Sequence, residues 1–196
     1  MAVEYKHVDV ARASIASEAN IFIHPECDDT LLHRAARWDD LEMVKLLVDS
    51  GMDINVSDKR IFEAKPIHIA ALCDSVNTIA YFLKKGQKVD DPSKNGMTPL
   101  HFTATIGNQG SLNAAKLLLD KGANVNAAAL DGSTPLHIAA HFGKLNLVKL
   151  FIERGANKKL RRKDGKTAEN LAVSVGDKEK LREAKCAVLD YLTTRK

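Results

Sequence analysis

Pairs of short apolar segments alternate along this chain, and the second segment of each pair has helical spacing. In the segment that begins at Leu41, the apolar side chains of Val44, Leu47 and Val48 fall on one helical face. Equivalent segments cover residues 41–48, 76–83, 112–119 and 145–152. A glycine follows each of them, where a left-handed residue suits the end of a helix: Gly51, Gly86, Gly122 and Gly155. The pattern predicts paired short helices with little regular strand.

A four-residue motif precedes each pair of helices. Thr134-Pro135-Leu136-His137 recurs as Thr98-Pro99-Leu100-His101, and in altered form as Lys65-Pro66-Ile67-His68 and Thr30-Leu31-Leu32-His33. The first residues of these motifs lie 35, 33 and 36 positions apart, and Thr167-Ala168 follows 33 positions later. Threonine suits the N-cap of a helix and proline its first position. Regular self-similarity at this period indicates a stack of repeats.

The units resemble ankyrin repeats. The two Thr-Pro-Leu-His motifs, the Ala139-Ala140 pair and the link Lys121-Gly-Ala-Asn-Val-Asn126 carry the resemblance. It implies an all-α solenoid of helix-turn-helix units with finger-like turns between them. Residues 1–196 would form one domain, with an N-terminal half-repeat at 1–29, four repeats at 30–164 and a capping repeat at 165–196. The half-repeat rests on the similarity of Glu18–Phe22 to Gly122–Asn126.

The last segment has the pattern of a cap. A terminal repeat needs an apolar face for its neighbour and a polar face for solvent. The apolar face of residues 177–192 is formed by Leu181, Ala184, Val188, Leu189 and Leu192. The predicted polar face is formed by Asp177, Lys178, Glu179, Lys180, Arg182, Glu183 and Lys185.

Composition narrows the environment of the protein. No apolar run approaches the roughly 20 residues that span a bilayer, so we expect no membrane insertion. The N-terminus lacks the apolar stretch of a secretory signal, and three cysteines without CxxC spacing suit a reducing compartment. We therefore expect a cytoplasmic monomer. A nuclear protein or a secreted effector remains an alternative.

The sequence favours binding over catalysis. Four histidines, His33, His68, His101 and His137, occupy the same repeat position, so stacking would place them about 10 Å apart. Metal ligands must lie about 2 Å from one point, which excludes a shared site. The resemblance implies instead that each histidine bonds backbone near a turn. GxGxxG, GxxxxGK[ST] and GxSxG motifs are absent from the sequence. We expect no enzymatic activity, no cofactor and no metal.

The resemblance also implies where a partner protein docks: on a concave face built from the finger tips and the ends of the first helices. The two positions after the small-residue pair face this groove. They read Arg37-Trp38, Leu72-Cys73, Thr105-Ile106 and His141-Phe142. The second residue of each pair is apolar, which predicts an exposed stripe anchored by the single tryptophan. The alternative is that these side chains fill gaps between adjacent helices.

The first finger extends this predicted surface. Gly51 and Lys65 are 14 residues apart, whereas the three equivalent links are 12 residues long. The longer finger carries Arg60, Ile61 and Phe62, and Glu63 replaces the usual glycine, so a different turn is expected. Leu130, on the third finger, completes the predicted partner-binding set. An extended segment or loop of another protein would match such a stripe, and the chain would act as an adaptor, inhibitor or effector.

A basic finger offers an alternative function. Residues 158–166 have a net charge of +5 in a chain of net charge +4. The basic residues are Lys158, Lys159, Arg161, Arg162, Lys163 and Lys166. They could bind nucleic acid electrostatically, although no aromatic residue is interleaved with them. A purely structural spacer is the third interpretation.

Overall fold

The computed structural model describes residues 30–105, 111–172 and 179–194, and this part of the chain contains five pairs of α-helices and no regular strand. The predicted half-repeat at 1–29 lies outside the described residues. The helices are Leu31–Arg37 (α1), Leu41–Asp49 (α2), Pro66–Leu72 (α3), Val76–Lys84 (α4), Pro99–Phe102 (α5), Leu112–Asp120 (α6), Pro135–His141 (α7), Leu145–Glu153 (α8), Ala168–Ala172 (α9) and Glu179–Thr194 (α10). The all-α prediction is confirmed.

The helices form two parallel rows. The first helices of successive pairs pack side by side as α1, α3, α5, α7 and α9, and the second helices pack as α2, α4, α6, α8 and α10. The core lies between the rows. The third motif residue of every repeat is fully buried there: Leu32, Ile67, Leu100 and Leu136. Because each unit contacts its neighbours, apolar burial is continuous along the stack.

Three of the four motif histidines join their repeat to the following finger through a side-chain hydrogen bond. The backbone N–H of Thr98 donates to Nδ1 of His101, at 3.1 Å. Since a backbone N–H can only donate, Nδ1 must accept, so a neutral ring carries its proton on Nε2. Nε2 donates to the carbonyl of Ser133, at 3.0 Å. His33 makes the same link to the carbonyl of Ala64, at 3.0 Å, and His68 to that of Asp91, at 2.8 Å.

The fingers are also joined to one another by their backbones. The N–H of Lys94 donates to the carbonyl of Phe62, that of Leu130 to Asn95, and that of Lys163 to Asp131, each at 2.9 Å. In the second finger this contact leaves no room for a Cβ at the tip. Gly96 has φ +78°, and a Cβ there would lie 2.9 Å from the backbone nitrogen of Leu130.

The first finger makes a different turn, as predicted from its missing glycine. A short 3₁₀ turn, Lys59–Ile61, is followed by Phe62 and Glu63 with φ of 53° and 52°. The left-handed region is unfavourable for residues that carry a Cβ. Lys94 of the second finger attaches this turn to its neighbour: its side chain pairs with Glu63, and its backbone N–H donates to the carbonyl of Phe62.

The first helix of the third repeat is only four residues long. Thr103 replaces the first alanine of the small-residue pair found in the other repeats, and Thr105 follows two residues later. The Thr103 hydroxyl donates to the carbonyl of Leu100, at 2.7 Å, and the Thr105 hydroxyl donates to that of Phe102, at 2.9 Å. Such side-chain bonds compete with the helical backbone, which explains the early end of α5.

Aspartates after the first helices cap helices of the next repeat. Asp39 has φ +54°, and its carboxylate accepts from the N–H of Thr78, at 2.8 Å, near the start of α4. Asp74 has φ +62° and accepts from the N–H of Ala114, at 2.7 Å, near the start of α6. Each of these second helices therefore depends on the preceding repeat for its cap.

The terminal helix α10 packs as a cap, with one correction. Val188 and Leu192 are buried, and Ala184 and Leu189 are half-buried, as predicted; the side chain of Leu181 lies outside the described residues. Lys185 was placed on the polar face, and this prediction is wrong because its side chain is buried. The helix lies directly against Gly143, where a Cβ would approach that of Ala184 to 2.8 Å. The backbone nitrogen of Lys185 would lie 3.3 Å from the same Cβ, so this residue is part of the close approach.

The buried histidines predict a pH-dependent stability. Burial lowers the pKa of His68 and of His101 from 6.5 to about 4. Between these values the unfolded chain binds more protons, so stability that is present above pH 6.5 is lost as the pH falls towards 4. Each histidine should contribute a slope of about 1.4 kcal/mol per pH unit. Urea denaturation at pH 7, 6 and 5 measures this slope.

The matched control is His101→Gln, which cannot titrate. Its stability should depend on pH less steeply than that of the wild type, by about 1.4 kcal/mol per pH unit, whatever its stability at pH 7. Equal slopes for the two proteins would contradict the assignment.

A buried amide in the second finger predicts a stabilising substitution. Gln87 is 8% exposed, and within the described part of the chain neither amide atom has a hydrogen-bond partner. The preceding repeat has Met52 at this position, also buried. Gln87→Met keeps the length of the side chain and removes the unpaired polar atoms, so the free energy of unfolding should rise by about 1–3 kcal/mol. Urea denaturation beside Lys88→Met, an exposed control, tests this, and a loss of stability would contradict it.

The cross-repeat cap predicts different costs for two substitutions of Asp39. Asp39→Ala removes the acceptor for the N–H of Thr78 and leaves a left-handed alanine, so it should destabilise the protein by about 1–2 kcal/mol. Asp39→Asn keeps an acceptor and tolerates the left-handed region, so it should cost much less. Thermal denaturation measures the stability of both variants, and equal losses of stability would contradict this prediction.

Candidate functional site

An open groove lies at the first repeat of the described part of the chain. It has a volume of about 540 Å³ and is lined by Arg34, Arg37, Trp38, Arg60 and Ile61. Helix α1 supplies the first two, Trp38 is its C-cap residue, and the first finger supplies the last two. Four of these five residues were predicted from the sequence.

Trp38 stands out from the surface of this groove. Its side chain is 79% exposed, so the alternative that it fills a gap between helices is wrong. Phe62 is 60% exposed on the adjoining finger. Large aromatic side chains are rarely left in water without a partner to cover them. The two rings form the most exposed aromatic surface in the described part of the chain.

Arg60 is fixed by a buried carboxylate. Asp58 is fully buried and receives Nε and Nη2 of Arg60, at 3.1 and 3.0 Å, as well as the backbone N–H of Arg60, at 2.9 Å. Burial acts to raise the pKa of Asp58, but the hydrogen bonds and the charge of Arg60 outweigh it and lower that pKa. The pair stiffens the finger and places a guanidinium beside Ile61.

The other residues predicted to face the groove differ in exposure. Leu72 and Thr105 are half-buried, and Phe142 is 37% exposed, with its ring against that of His141 at 4.8 Å. Cys73 is exposed, and desolvation raises its thiol pKa despite the charge of Arg37, so the neutral thiol dominates at neutral pH. Ile106 lies outside the described residues. Exposure was therefore predicted correctly for the three described members of the stripe, Trp38, Cys73 and Phe142.

Leu130 lies at the tip of the third finger and is 64% exposed. Its backbone N–H is bonded to the second finger, and its side chain lies beside Gly96. It does not line the groove at Trp38. The predicted partner-binding residues thus comprise one connected groove at the first repeat and separate exposed residues further along the stack.

The basic finger is partly neutralised by its own contacts. Arg162 pairs with Asp131, at 3.2 Å, and Arg161 donates to the carbonyl of Gly165, at 2.7 Å. Lys158 donates to the carbonyl of Leu192 in α10, at 3.0 Å. Lys166 lies 3.7 Å from Asp164, while Lys159 and Lys163 are exposed. Carboxylates beside Arg162 and Lys166 therefore offset part of the positive charge of this finger.

Two residues of the site were missed by the sequence reasoning. Arg34 precedes Arg37 by one helical turn, and this spacing could have identified it. Asp58 precedes Arg60 by two residues, a spacing at which an aspartate often accepts the backbone N–H of a turn. Neither residue stood out because the repeat pattern itself drew attention to apolar positions.

No group of three histidine, cysteine or acidic side chains lies close enough to hold a metal in the part of the chain that the structure describes. In three of the motif histidines, Nε2 donates a hydrogen bond to a backbone carbonyl. Among the described helices, none combines the length and the apolar character needed to cross a membrane.

Comparison with known protein families identifies the repeats. A model described as ankyrin repeats in three copies matches residues 32–129 and 104–183, and one described as ankyrin repeats in many copies matches residues 1–48. Ankyrin repeats are generally protein–protein interaction modules and are typically non-catalytic.

Two longer proteins share part of this array. A Danio rerio protein that bears the name palmitoyltransferase ZDHHC13 is 37% identical over 79 residues, which are 40% of this chain and 12% of that protein. Transient receptor potential cation channel subfamily A member 1 of Homo sapiens is 35% identical over 77 residues, 39% of this chain and 7% of the channel. The chain therefore matches only a small part of either relative.

Proposed function

Because the chain belongs to the ankyrin repeat family, we propose that it binds a partner protein on its concave face, with Trp38 as the principal anchor. The partner contributes an extended segment or a loop. The chain acts by occupying or positioning that partner, as an inhibitor, adaptor or effector, and no covalent step is involved.

The exposure of Trp38 carries this proposal. Binding energy at protein interfaces is concentrated in a few residues, with tryptophan, tyrosine and arginine enriched among them. Trp38 is 79% exposed and shares its groove with Arg34, Arg37 and Arg60. The groove thus combines residue types that commonly dominate interfaces.

The strained first finger supports the same face. Phe62 and Glu63 hold left-handed φ values that glycine would adopt without strain, and the equivalent positions elsewhere end in Gly96 or Gly132. Residues in unfavourable backbone conformations cluster at functional sites. Here the conformation displays a phenylalanine that contributes little to the core, since it is 60% exposed.

Selection from a display library of random 12-residue peptides tests the proposal. Peptides that bind the wild type should lose about 2 kcal/mol or more of binding free energy with Trp38→Ala and with Phe62→Ala. Both variants should melt at the wild-type temperature, because the two side chains are exposed. Lys116→Ala, on the exposed surface of α6, should leave affinity and melting unchanged.

The fluorescence of the single tryptophan gives an independent measurement. Emission of the free protein should be red-shifted and should move to the blue when a selected peptide covers the ring. Blue-shifted emission from the free protein would contradict the proposal. So would selected peptides that bind both alanine variants with wild-type affinity.

A further inference from the structure

We infer that the groove at Trp38 binds an acidic segment of the partner, in which a bulky apolar side chain packs on Trp38 and Ile61 between carboxylates that pair with Arg34 and Arg37. This inference rests on the proposed function and specifies the chemistry of the partner. Three observations support it: the residues that line the groove, the hydrogen bonds that neighbouring carboxylates already accept, and the absence of these arginines from the other repeats.

The lining of the groove is cationic and aromatic. Three of its five residues are arginines, and none carries a carboxylate. Trp38, one of its walls, is 79% exposed, so the groove is open and cannot enclose a small molecule as a ligand cavity does. An apolar side chain covering Trp38 would exclude water from the adjacent guanidinium groups and strengthen their interaction with a carboxylate.

The acidic residues nearest in sequence are already engaged. Asp39 follows Trp38 directly and accepts from the N–H of Thr78, at 2.8 Å, and from the side-chain amide of Asn77, at 2.8 Å. Asp40 accepts from the N–H of Met43, at 3.0 Å, at the start of α2. Within the described part of the chain, Arg34 and Arg37 have no carboxylate partner, so their charge is available to a bound segment.

Arg60 contributes in a different way. Its pair with the buried Asp58 offsets its charge and fixes its position. A fixed guanidinium plane beside Ile61 forms the far wall of the groove, opposite helix α1. The uncompensated charge therefore lies on one side, where Arg34 and Arg37 are one helical turn apart. That spacing suits two carboxylates, each able to accept a paired hydrogen bond from arginine.

The charge does not continue along the stack, which favours an acidic protein segment over nucleic acid. The positions equivalent to Arg34 and Arg37 are Ile69 and Leu72 in the second repeat. They are Phe102 and Thr105 in the third repeat, and Ile138 and His141 in the fourth. A nucleic acid needs a basic track that follows many phosphates. A short acidic segment needs a single cationic position beside an apolar anchor.

The experiment uses the full chain and synthetic 12-residue peptides. One peptide carries aspartates and glutamates on both sides of a central leucine; its matched partner has asparagine and glutamine instead. Titrations are followed by Trp38 emission. The acidic peptide should bind about tenfold more tightly, since two charged pairs at an open groove together contribute roughly the 1.4 kcal/mol of a tenfold change. The double variant Arg34→Gln and Arg37→Gln should remove most of that difference.

A charge-matched control separates site from net charge. Lys159→Gln with Lys163→Gln removes the same two charges from the basic finger and should leave acidic-peptide binding within about twofold. Equal affinity for the acidic and neutral peptides would overturn the inference. So would equal losses from the two double variants, or tighter binding of a 12-nucleotide single-stranded DNA through Arg34 and Arg37.

The peptide selection described under the proposed function distinguishes failure of the acidic-segment inference from failure of the proposed function itself. Selected peptides that depend on Trp38 and Phe62 but lack acidic residues would refute the acidic partner and leave concave-face binding intact. Selected peptides that ignore both rings would refute the proposed function itself.

Discussion

The neutral imidazole of the repeat motif is the constraint on which this stack depends. Its Nδ1 accepts the backbone N–H at the start of the first helix, and its Nε2 donates to a carbonyl of the following finger, as His101 does between Thr98 and Ser133. One side chain thus fixes a helix start and the finger after it. Protonation would replace the acceptor at Nδ1 with a donor, and both groups there would then be donors. The link exists only while the ring is uncharged.

The groove uses positions that this framework leaves unconstrained. Helix α1 buries Leu32, His33, Ala35 and Ala36, and leaves Arg34 exposed and Arg37 half-buried. The same helix therefore contributes to the core with one face and to the lining of the groove with the other. The first finger differs from the others because its extra residues and its lack of glycine remove the standard turn. Asp58 and Lys94 stabilise the replacement turn from within and from the next finger.

Most of the fold could be predicted from the sequence because periodicity reports burial directly. The motif spacing located five helix pairs, and the glycines after the second helices have the left-handed φ values that their positions indicated. The site was harder to predict. Exposure of Trp38 followed from its place in the repeat, but Arg34 joined the groove through tertiary packing. Lys185 was misplaced because a lysine at helical spacing suggests solvent, whereas the small residue at Gly143 lets α10 approach closely. Neither local sequence nor composition encodes that separation.

The aspartate caps redefine the unit that can be exchanged between arrays. In sequence, Asp39 belongs to the first repeat and Asp74 to the second. Each of them caps the second helix of the following repeat. A graft cut at the motif threonine would carry an aspartate to a new successor, and its own second helix would be capped by the aspartate of the host repeat before it. Excising a single repeat at any other position has the same result, because each aspartate lies 39 or 40 positions before the N–H that it caps, which is more than one repeat. The smallest cassette that contains a complete cap therefore runs from the aspartate after one first helix into the second helix of the next repeat.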